Sequence, residues 1–457
     1  MATLESLSSD ITARSIRLSK LLAAKSQPDP TFSAADFSRY SGEDAELRSA
    51  RQDLLRSARD LASLAESPED HILSLTWATA DAANLAVLVR FSLPQLVPSS
   101  SGGISSADLA AKADLPEDVV VRMMRYAVGK GIFEEVETSE SGRVFVHNAS
   151  SALLAKSEYL RDIVSHGTRE LSWLMLRVAD ALESQQKHKQ SGNAGGAISK
   201  DGPPDAAFNV VFPGEKNVFE FLQKQPALAG RYHKYMVARH NTSRWTIEHM
   251  LGAYDWANVG GKTIVDAGGS SGHTVLALSQ ACPPSTRFII QDIDPVALEQ
   301  GKSAVANHPA ADRFDFKMHN LFEKQSVPAD IYLFRHIFHD WPDADVITMI
   351  RNLIPAMAEG VRVLVSEGLV PAKAVKRTNT LDDQLILIED MVMLASHGAR
   401  ERTAADFVGL FQQADTRLTY VGERGGNNGA FQSLLEFRFQ TDPSADLNGN
   451  AAVNGLH

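Results

Sequence analysis

Apolar residues in the N-terminal part of the chain recur at the spacing of an α-helix. Leu18, Leu21 and Leu22 illustrate the pattern, in which side chains three or four positions apart fall on one helix face. Residues 1–67 are therefore predicted to form a helical extension. Beyond it the pattern predicts three helices and then two short strands, at 72–93, 106–113, 116–130, 131–133 and 144–146.

Three helices followed by a two-stranded ribbon are typical of a winged helix, and this domain is predicted to span residues 68–180. Winged helices often bind DNA, but Asp and Glu are scattered between Pro116 and Glu135, where a DNA-recognition helix would be basic. The apolar stretch 72–93 would expose a sizeable patch in a monomer. We therefore expect a surface for homodimerisation and no nucleic-acid partner.

Short apolar runs alternate with helical patterns in the C-terminal half of the chain. The candidate strands lie at 263–266, 287–291, 330–335, 361–366 and 431–439. The alternation predicts an α/β fold, a Rossmann-like doubly wound parallel sheet, in a domain of residues 208–440. Residues 185–207 are rich in Gly, Ser and Lys and are predicted to form a flexible insertion, and the polar residues 441–457 a disordered tail.

The net charge and the cysteine content limit the kinds of function that the protein can have. The 457 residues carry a formal net charge of −11, which argues against a surface for nucleic acid. Cys282 is the only cysteine, so the chain has no intrachain disulfide and no cysteine-rich metal site. The first residues lack a signal-peptide pattern, and no run approaches the roughly 20 apolar residues of a membrane span. We expect a cytoplasmic protein with no membrane partner.

A glycine-rich turn follows the first strand of the predicted sheet. Asp266 ends that strand, and Gly268, Gly269 and Gly272 come next, where the backbone can approach a ligand closely. The glycine spacing differs from the G-x-G-x-x-G pattern that cradles a diphosphate. Asp292 ends the second strand, where it could bind a ribose. The turn therefore favours a cationic, amino-acid-bearing cofactor such as S-adenosylmethionine.

The densest group of ionisable and aromatic residues, 335–343, directly follows the apolar strand residues 331–334. A ligand in an open α/β sheet binds at the carboxyl ends of the strands, so His339 is placed to face the cofactor. Glu367 follows the next strand, and Glu401 lies beyond a helix at 385–395. A histidine between carboxylates can act as a general base.

Two other kinds of site compete with a general base. The nearby side chains of His336, His339, Asp340 and Asp343 could hold a metal ion, but the histidine spacing is not the i, i+4 of a helical zinc pair. A serine hydrolase would need a G-x-S-x-G turn after a strand, which Gly269 to Gly272 resemble only superficially. We expect no metal.

Residues 210–440 resemble the S-adenosylmethionine-dependent O-methyltransferases of class I, of the caffeic-acid type and its fungal secondary-metabolite branch. Five motifs in the family's order carry the resemblance, at 265–272, 291–292, 339–343, 367–371 and 401–403. Residues 68–155 also resemble that family's winged-helix dimerisation domain, including the stretches 131–133 and 147–151.

The resemblance implies a role for individual residues. The catalytic residues would be His339, Glu367 and Glu401. The cofactor would be bound by Asp266, Gly268, Gly269, Asp292, Asn320, Leu321 and Arg335. The acceptor pocket would be lined by Met236, Trp245, His336, Val392 and Met393. Two positions depart from the family, since Arg335 replaces the usual lysine of the plant enzymes and Asn320-Leu321 replaces Asp-Met.

The resemblance also implies a reaction. His339 would remove the proton from a phenolic hydroxyl of an aromatic secondary metabolite such as a polyketide, and the oxygen would take the methyl group of S-adenosylmethionine. Two alternatives stay open. A protein of the same fold can use the cofactor for pericyclic or dehydrating chemistry, in which case the base position tends to be altered, or it can be a non-catalytic regulatory protein.

Overall fold

The chain folds into helices and strands that form two compact units. The structure, a computed structural model, describes residues 3–99, 102–138, 142–190, 206–372, 380–425 and 431–441. The helices are α1 Leu4–Ala24, α2 Ala45–Ala65, α3 Pro68–Thr76, α4 Thr79–Arg90, α5 Leu93–Leu96, α6 Ser106–Ala113, α7 Glu117–Gly129, α8 Ala149–Lys156, α9 Glu158–His166, α10 Ser172–Met175, α11 Val178–Gln190, α12 Ala207–Val211, α13 Val218–Lys224, α14 Pro226–His240, α15 Glu248–Ala253, α16 His273–Leu278, α17 Pro295–Val305, α18 Asp343–Leu353, α19 Leu381–His397 and α20 Ala404–Ala414. The strands are β1 Ile104–Ser105, β2 Phe133–Thr138, β3 Gly142–His147, β4 Thr263–Ala267, β5 Arg287–Asp292, β6 Phe314–Met318, β7 Ile331–Arg335, β8 Arg362–Gly368, β9 Leu418–Gly425 and β10 Gln432–Phe439.

The first unit comprises the described residues of Met1–Ala179, Val218–Thr242 and Arg377–Gln384. Its N-terminal helices α1 and α2 pack together around Leu18, Leu22 and Leu47, so the helices predicted from the leucine spacing are confirmed. Side chains of α2 also reach the first turn of α19, where Arg56 binds both carboxylate oxygens of Asp383, at 2.9 and 2.7 Å. The extension is thus joined to a segment more than 300 residues away in sequence.

The winged-helix pattern is also confirmed. The antiparallel strands β1, β3 and β2 lie side by side in that order, and a core of Leu88, Leu109, Met124, Phe133 and Phe145 joins them to α4, α6 and α7. After β3 the chain turns directly into α8, because the side chain of Asn148 accepts the backbone N–H of Ser151 at 3.1 Å and caps the helix.

The predicted single helix over 72–93 is wrong. The chain forms α3 and α4 with a turn at Trp77 and Ala78 between them. The hydroxyl of Thr76 donates to the carbonyl of Ile72 at 2.9 Å, a side-chain bond of the kind that competes with the backbone and bends helices. The stretch Pro68–Arg90 is long and apolar enough to cross a membrane by length and composition alone, so the expectation that no run approaches a span is wrong.

The second unit is built on a seven-stranded sheet in the order β6-β5-β4-β7-β8-β10-β9. The first five strands in this order are parallel to one another, which confirms the Rossmann-like α/β fold. The pairs that β10 makes with β8 and β9 are antiparallel, so the sheet is mostly parallel with an antiparallel edge. Strands β6 and β9 were not predicted, because edge strands with one exposed face have weak apolar patterns.

Apolar side chains cover both faces of this sheet. One core contains Val265, Phe334 and Phe437, and the other contains Ile264, Leu333 and Leu364. Parallel pairing brings the carboxyl ends of β4, β5, β7 and β8 to one edge of the sheet. The side chains that end these strands therefore meet there.

Two predicted segments fall partly outside the described residues. Residues 185–190 continue helix α11, where a loop was predicted, and 191–205 lie outside the described part. Of the predicted tail, 442–457 also lie outside it. The domain boundaries stay predictions.

Replacing Phe437 with Ala should strongly destabilise the second unit. Phe437 is fully buried, and its ring stacks on that of Phe411 with centroids 3.7 Å apart. We expect the free energy of unfolding to fall by about 3–5 kcal/mol, measured by urea denaturation. Phe32→Ala is the control, since that ring is 79% exposed and its loss should cost less than about 0.5 kcal/mol. Equal effects of the two changes would contradict this description of the core.

Candidate active site

The turn after β4 brings the backbone close to the end of β5. The N–H groups of Gly268 and Gly269 both donate to the carbonyl of Gln291, at 2.8 and 3.0 Å. Gly268 has φ of 77°, and a Cβ at this position would collide with Ile337. A Cβ at Gly269 would lie 2.5 Å from Oδ2 of Asp266. Both positions require glycine for this geometry.

Asp266 is buried under this turn. Its Oδ2 has no hydrogen-bond partner within the described part of the chain. Burial raises the pKa of the carboxyl group to about 7, and the positive charge of Arg335 opposes that rise. A buried carboxylate oxygen without a donor is suited to a ligand that brings an N–H or O–H group.

Asp292 ends the neighbouring strand β5. Its two oxygens accept the backbone N–H groups of Ser270, at 2.8 Å, and Asp294, at 2.9 Å, which fixes the carboxylate beside the glycine turn. Burial raises its pKa. Each oxygen has a further lone pair, so the group can still accept from hydroxyls.

Asn320 and Leu321 follow β6 next to Asp292. The preceding residue, His319, donates its N–H to the carbonyl of Asp292 at 3.0 Å. The side-chain oxygen of Asn320 accepts the N–H of Phe322 at 3.0 Å, so a local turn holds the amide. Leu321 lies near Gly268, within 3.9 Å of the position that a Cβ would take.

Arg335 ends β7 and is buried. Its guanidinium group donates to the carbonyl of Trp245 at 2.7 Å and to the side chain of Gln432 at 3.4 Å. It therefore joins the chain before α15 to the start of β10 and supplies a positive charge near Asp266.

The loop after β7 is shaped by Glu367. One of its carboxylate oxygens accepts the N–H groups of both Ile337 and Phe338 at 2.9 Å. His336, just before them, has φ of 55°, a left-handed conformation that is uncommon for any residue other than glycine. The sharp turn leads into a 3₁₀ turn, Phe338–Asp340, which directs His339 inward.

His339 is buried among three carboxylates. Its Nδ1 lies 2.8 Å from Oε1 of Glu401 and 3.8 Å from Oε2 of Glu367, and its Nε2 lies 3.6 Å from Oδ1 of Asp340. Burial by itself lowers the pKa of the imidazole, but the carboxylates outweigh it and raise the pKa well above the usual range. Burial raises the pKa of Glu367 to about 7.

The contacts of His339 assign a role to each ring nitrogen. A neutral imidazole carries one proton, and Glu401 holds that proton on Nδ1 because the carboxylate can only accept. The lone pair is then on Nε2, where it can accept a proton from a ligand hydroxyl. When it does, the carboxylates stabilise the positive charge that forms.

Arg402 fixes the loop that carries His339. Its guanidinium group donates to the carbonyls of Phe338, at 2.6 Å, and Trp341, at 2.7 Å, and binds the carboxylate of Asp343 at 2.7 Å. The adjacent residue, Glu401, binds the imidazole. This function of Arg402 was not predicted, although the opposite charges of the 339–343 and 401–403 motifs could have indicated it.

Aromatic rings lie on one side of the site. The His336 ring is near-parallel to that of Phe431, with centroids 6.5 Å apart, and its centroid is 5.2 Å from that of His339. The Trp245 ring lies 6.3 Å from the ring of Phe431. Phe431 and Gln432 were missed, because nothing in a strand's apolar pattern distinguishes a ligand-facing ring from a core ring.

The remaining predicted pocket residues have no described contact with His339. Val392 and Met393 lie on the buried side of α19, shortly before it ends. Met236 is a half-buried residue of α14 in the first unit. Their place in the acceptor pocket stays a prediction.

The four side chains considered as an alternative metal site are not all brought together. Asp343 binds Arg400 and Arg402 instead of facing the histidines. Within the described residues, His336, His339 and Glu367 do bring ligand atoms within 4.8 Å of one another. Glu401 engages Nδ1 of His339, so metal-free chemistry stays our prediction.

Comparison with known protein families gives two matches that cover much of the chain. Residues 196–417 match the O-methyltransferase domain family, and residues 76–157 match the O-methyltransferase dimerisation domain family. Curated relatives include O-methyltransferase pgmB of Aspergillus terreus, 30% identical over 430 residues and 92% of each chain. A grayanic acid biosynthesis cluster O-methyltransferase of Cladonia grayi is 27% identical over 95% of this chain and 88% of the relative.

Solved structures share the fold. OxaC, determined in complex with SAH and oxaline, has a TM-score of 0.71 at 22% identity and covers 96% of this chain and 99% of its own. A structure described as a pericyclic reaction enzyme has a TM-score of 0.67 at 20% identity, with coverages of 86% and 94%. At these identities the likeness shows the fold alone.

The charge environment of His339 can be measured directly. In the ligand-free protein we expect its pKa to lie above about 6.5, the value of a free imidazole, and Glu401→Gln should lower it by removing the nearest negative charge. Histidine-selective NMR titration, assigned by loss of the His339 signal in His339→Asn, measures both. A parent pKa below 6.5 would contradict the geometry described here.

Proposed function

Because this chain belongs to the O-methyltransferase family and uses S-adenosylmethionine, we propose that it methylates a phenolic hydroxyl of an aromatic secondary metabolite with His339 as general base. One observation carries the proposal, the buried imidazole whose Nδ1 lies 2.8 Å from Glu401 and whose Nε2 can therefore accept a proton.

The two alternatives are less well supported. The curated relatives are named O-methyltransferases, at identities of 27% and 30% over most of this chain. The likeness to a pericyclic enzyme is one of fold, at 20% identity. An altered base position is expected for pericyclic chemistry, whereas His339 and both glutamates are present here. A regulatory protein would have no need of an ordered, desolvated base.

The residues at the glycine turn fit S-adenosylmethionine, which supplies a methyl group activated by a positive sulfonium charge. Asp266 offers a buried oxygen without a donor, and Asp292 offers free lone pairs for ribose hydroxyls. A Cβ at Gly268 would collide with Ile337 and one at Gly269 with Asp266, so only glycine fits this turn above the buried carboxylate. Asn320, Leu321 and Arg335 complete the proposed cofactor site.

The chain's own part in the reaction is the movement of one proton. A phenol has a pKa of about 10, so its hydroxyl is mostly protonated near neutrality. Nε2 of His339 accepts that proton as the oxygen gains its methyl group, and the imidazolium that forms lies between Glu401 and Glu367. Positioning supplies most of the remaining rate.

The rings of Trp245, His336 and Phe431 support an aromatic acceptor, because flat ligands stack on aromatic side chains. The carboxylates of Asp340, Glu367 and Glu401 disfavour a negative charge next to the reacting hydroxyl. We therefore propose a neutral phenol. Met236, Val392 and Met393 are proposed to contact the rest of the acceptor.

The partners follow from the first unit. The match to a dimerisation domain supports a homodimer. The side chains of Ile72, Leu75 and Trp77 are each at least 60% exposed, and a second copy would cover them. We propose a cytoplasmic enzyme without nucleic-acid or membrane partners.

Replacing His339 with Ala should slow methyl transfer by about 10²- to 10⁴-fold, because the phenol loses its base. The measurement is formation of S-adenosylhomocysteine with a phenolic acceptor, in buffer that contains EDTA because no metal is required. Cofactor affinity, measured by calorimetry, should stay close to that of the parent. Transfer at the parent's rate in the variant would rule out His339 as the base.

Gly269→Ala should weaken binding of S-adenosylhomocysteine by about tenfold or more, roughly 1.4 kcal/mol, because the new methyl group displaces the Asp266 carboxylate. Isothermal calorimetry measures this without turnover. Gly252→Ala is the matched control, since a Cβ there meets nothing within 4 Å. If both variants bind as tightly as the parent, the glycine turn is not part of the cofactor site.

A further inference from the structure

A second buried histidine lies against the carboxylate beside the proposed base. His397 is the last residue of α19, and its Nε2 lies 3.5 Å from Oδ1 of Asp340. The same oxygen lies 3.6 Å from Nε2 of His339. One carboxylate oxygen is thus shared by two imidazoles, one of which is the proposed base.

We propose that His397 is a positioning residue that holds the Asp340 carboxylate beside Nε2 of His339, where the proton from the acceptor arrives. The inference rests on the proposed function, since it assigns a role relative to the base.

Asp340 and the two glutamates face different nitrogens of the His339 ring. Glu401 and Glu367 face Nδ1, the nitrogen that already carries a proton. Asp340 is the carboxylate on the Nε2 side, where the charge of the new N–H develops. An anion placed there stabilises the imidazolium directly.

The Asp340 carboxylate faces two imidazoles from different elements. Asp340 ends the 3₁₀ turn Phe338–Asp340, which also carries His339, and the second imidazole is that of His397. His397 projects from the end of a 17-residue helix and is buried. Burial lowers the pKa of His397, which favours the neutral ring, and its Nε2 faces the Asp340 carboxylate at 3.5 Å.

The titratable groups around His339 come from several elements. Asp340 and His336 lie on its own loop, Glu367 at the end of β8, Glu401 beyond α19, and His397 at the end of α19. Losing the hold on Asp340 moves a negative charge away from Nε2. The protonated imidazole is then less favoured, so His339 loses its proton at lower pH and becomes a weaker base.

The test compares two replacements of His397 in the full-length enzyme. Leu has no donor, whereas the amide of Gln can still donate to Asp340. We expect His397→Leu to lower kcat by about tenfold and to move the acidic limb of its pH profile to lower pH by about one pH unit. His397→Gln should resemble the parent. His308→Gln, at a half-buried histidine remote in sequence, is the control for losing a histidine.

Asp340→Asn removes the negative charge beside Nε2 of His339 while His397 stays in place. This variant tests the inference if His397→Leu does not fold. It should shift the acidic limb as far as His397→Leu does, and the double variant should shift it no further, because both changes remove one interaction. The inference is overturned if Asp340→Asn or His397→Leu leaves the limb in place, if Gln behaves like Leu, or if the shifts add.

His339→Ala in the same assay separates this inference from the proposed function. If His339→Ala turns over like the parent, the base itself is wrong. If it loses activity while His397→Leu keeps the parent's rate and pH profile, the base stands and the positioning role of His397 is wrong.

Discussion

The hydrogen bond between Glu401 and Nδ1 of His339 is the contact on which the rest of the site depends. Burying an imidazole and a carboxylate removes both from water, which is costly unless each is held and paired. Arg402 supplies that hold, since it grips the carbonyls of the loop that carries His339 while its neighbour Glu401 binds the ring. Glu367 fixes the start of the same loop through two backbone N–H groups. The proton of the neutral imidazole is therefore kept on Nδ1, and its lone pair is on Nε2.

The parallel sheet makes this contact possible and brings the glycine turn after β4 to the same edge. Asp266, Asp292 and Glu367 come from three strands whose carboxyl ends meet at one edge. The resulting excess of buried carboxylates suits a donor that carries positive charge and disfavours an anionic acceptor. The carboxylates around His339 raise the pKa of its imidazole, so the neutral form is a stronger base than a free imidazole.

The sequence predicted the parts that depend on local pattern. The buried strands β4 and β7 have apolar centres, and the glycine turn and His339 come shortly after them, so both could be placed at the sheet edge. The pairing of His339 with Glu401, 62 residues apart, came from a family resemblance. His397, Phe431 and the structural role of Arg402 could not be found, because they depend on which distant segments touch. The edge strands β6 and β9 were missed because half their side chains face solvent.

The site described here supports transfer of a methyl group to an oxygen of an aromatic acceptor. This reaction can be followed by ¹³C NMR and mass spectrometry of products formed from S-adenosylmethionine labelled with ¹³C in its methyl group, across a panel of neutral phenols. We expect a product that carries one labelled methoxy carbon. Turnover of an acceptor into a product without the label, or with the label on carbon or nitrogen, would contradict it.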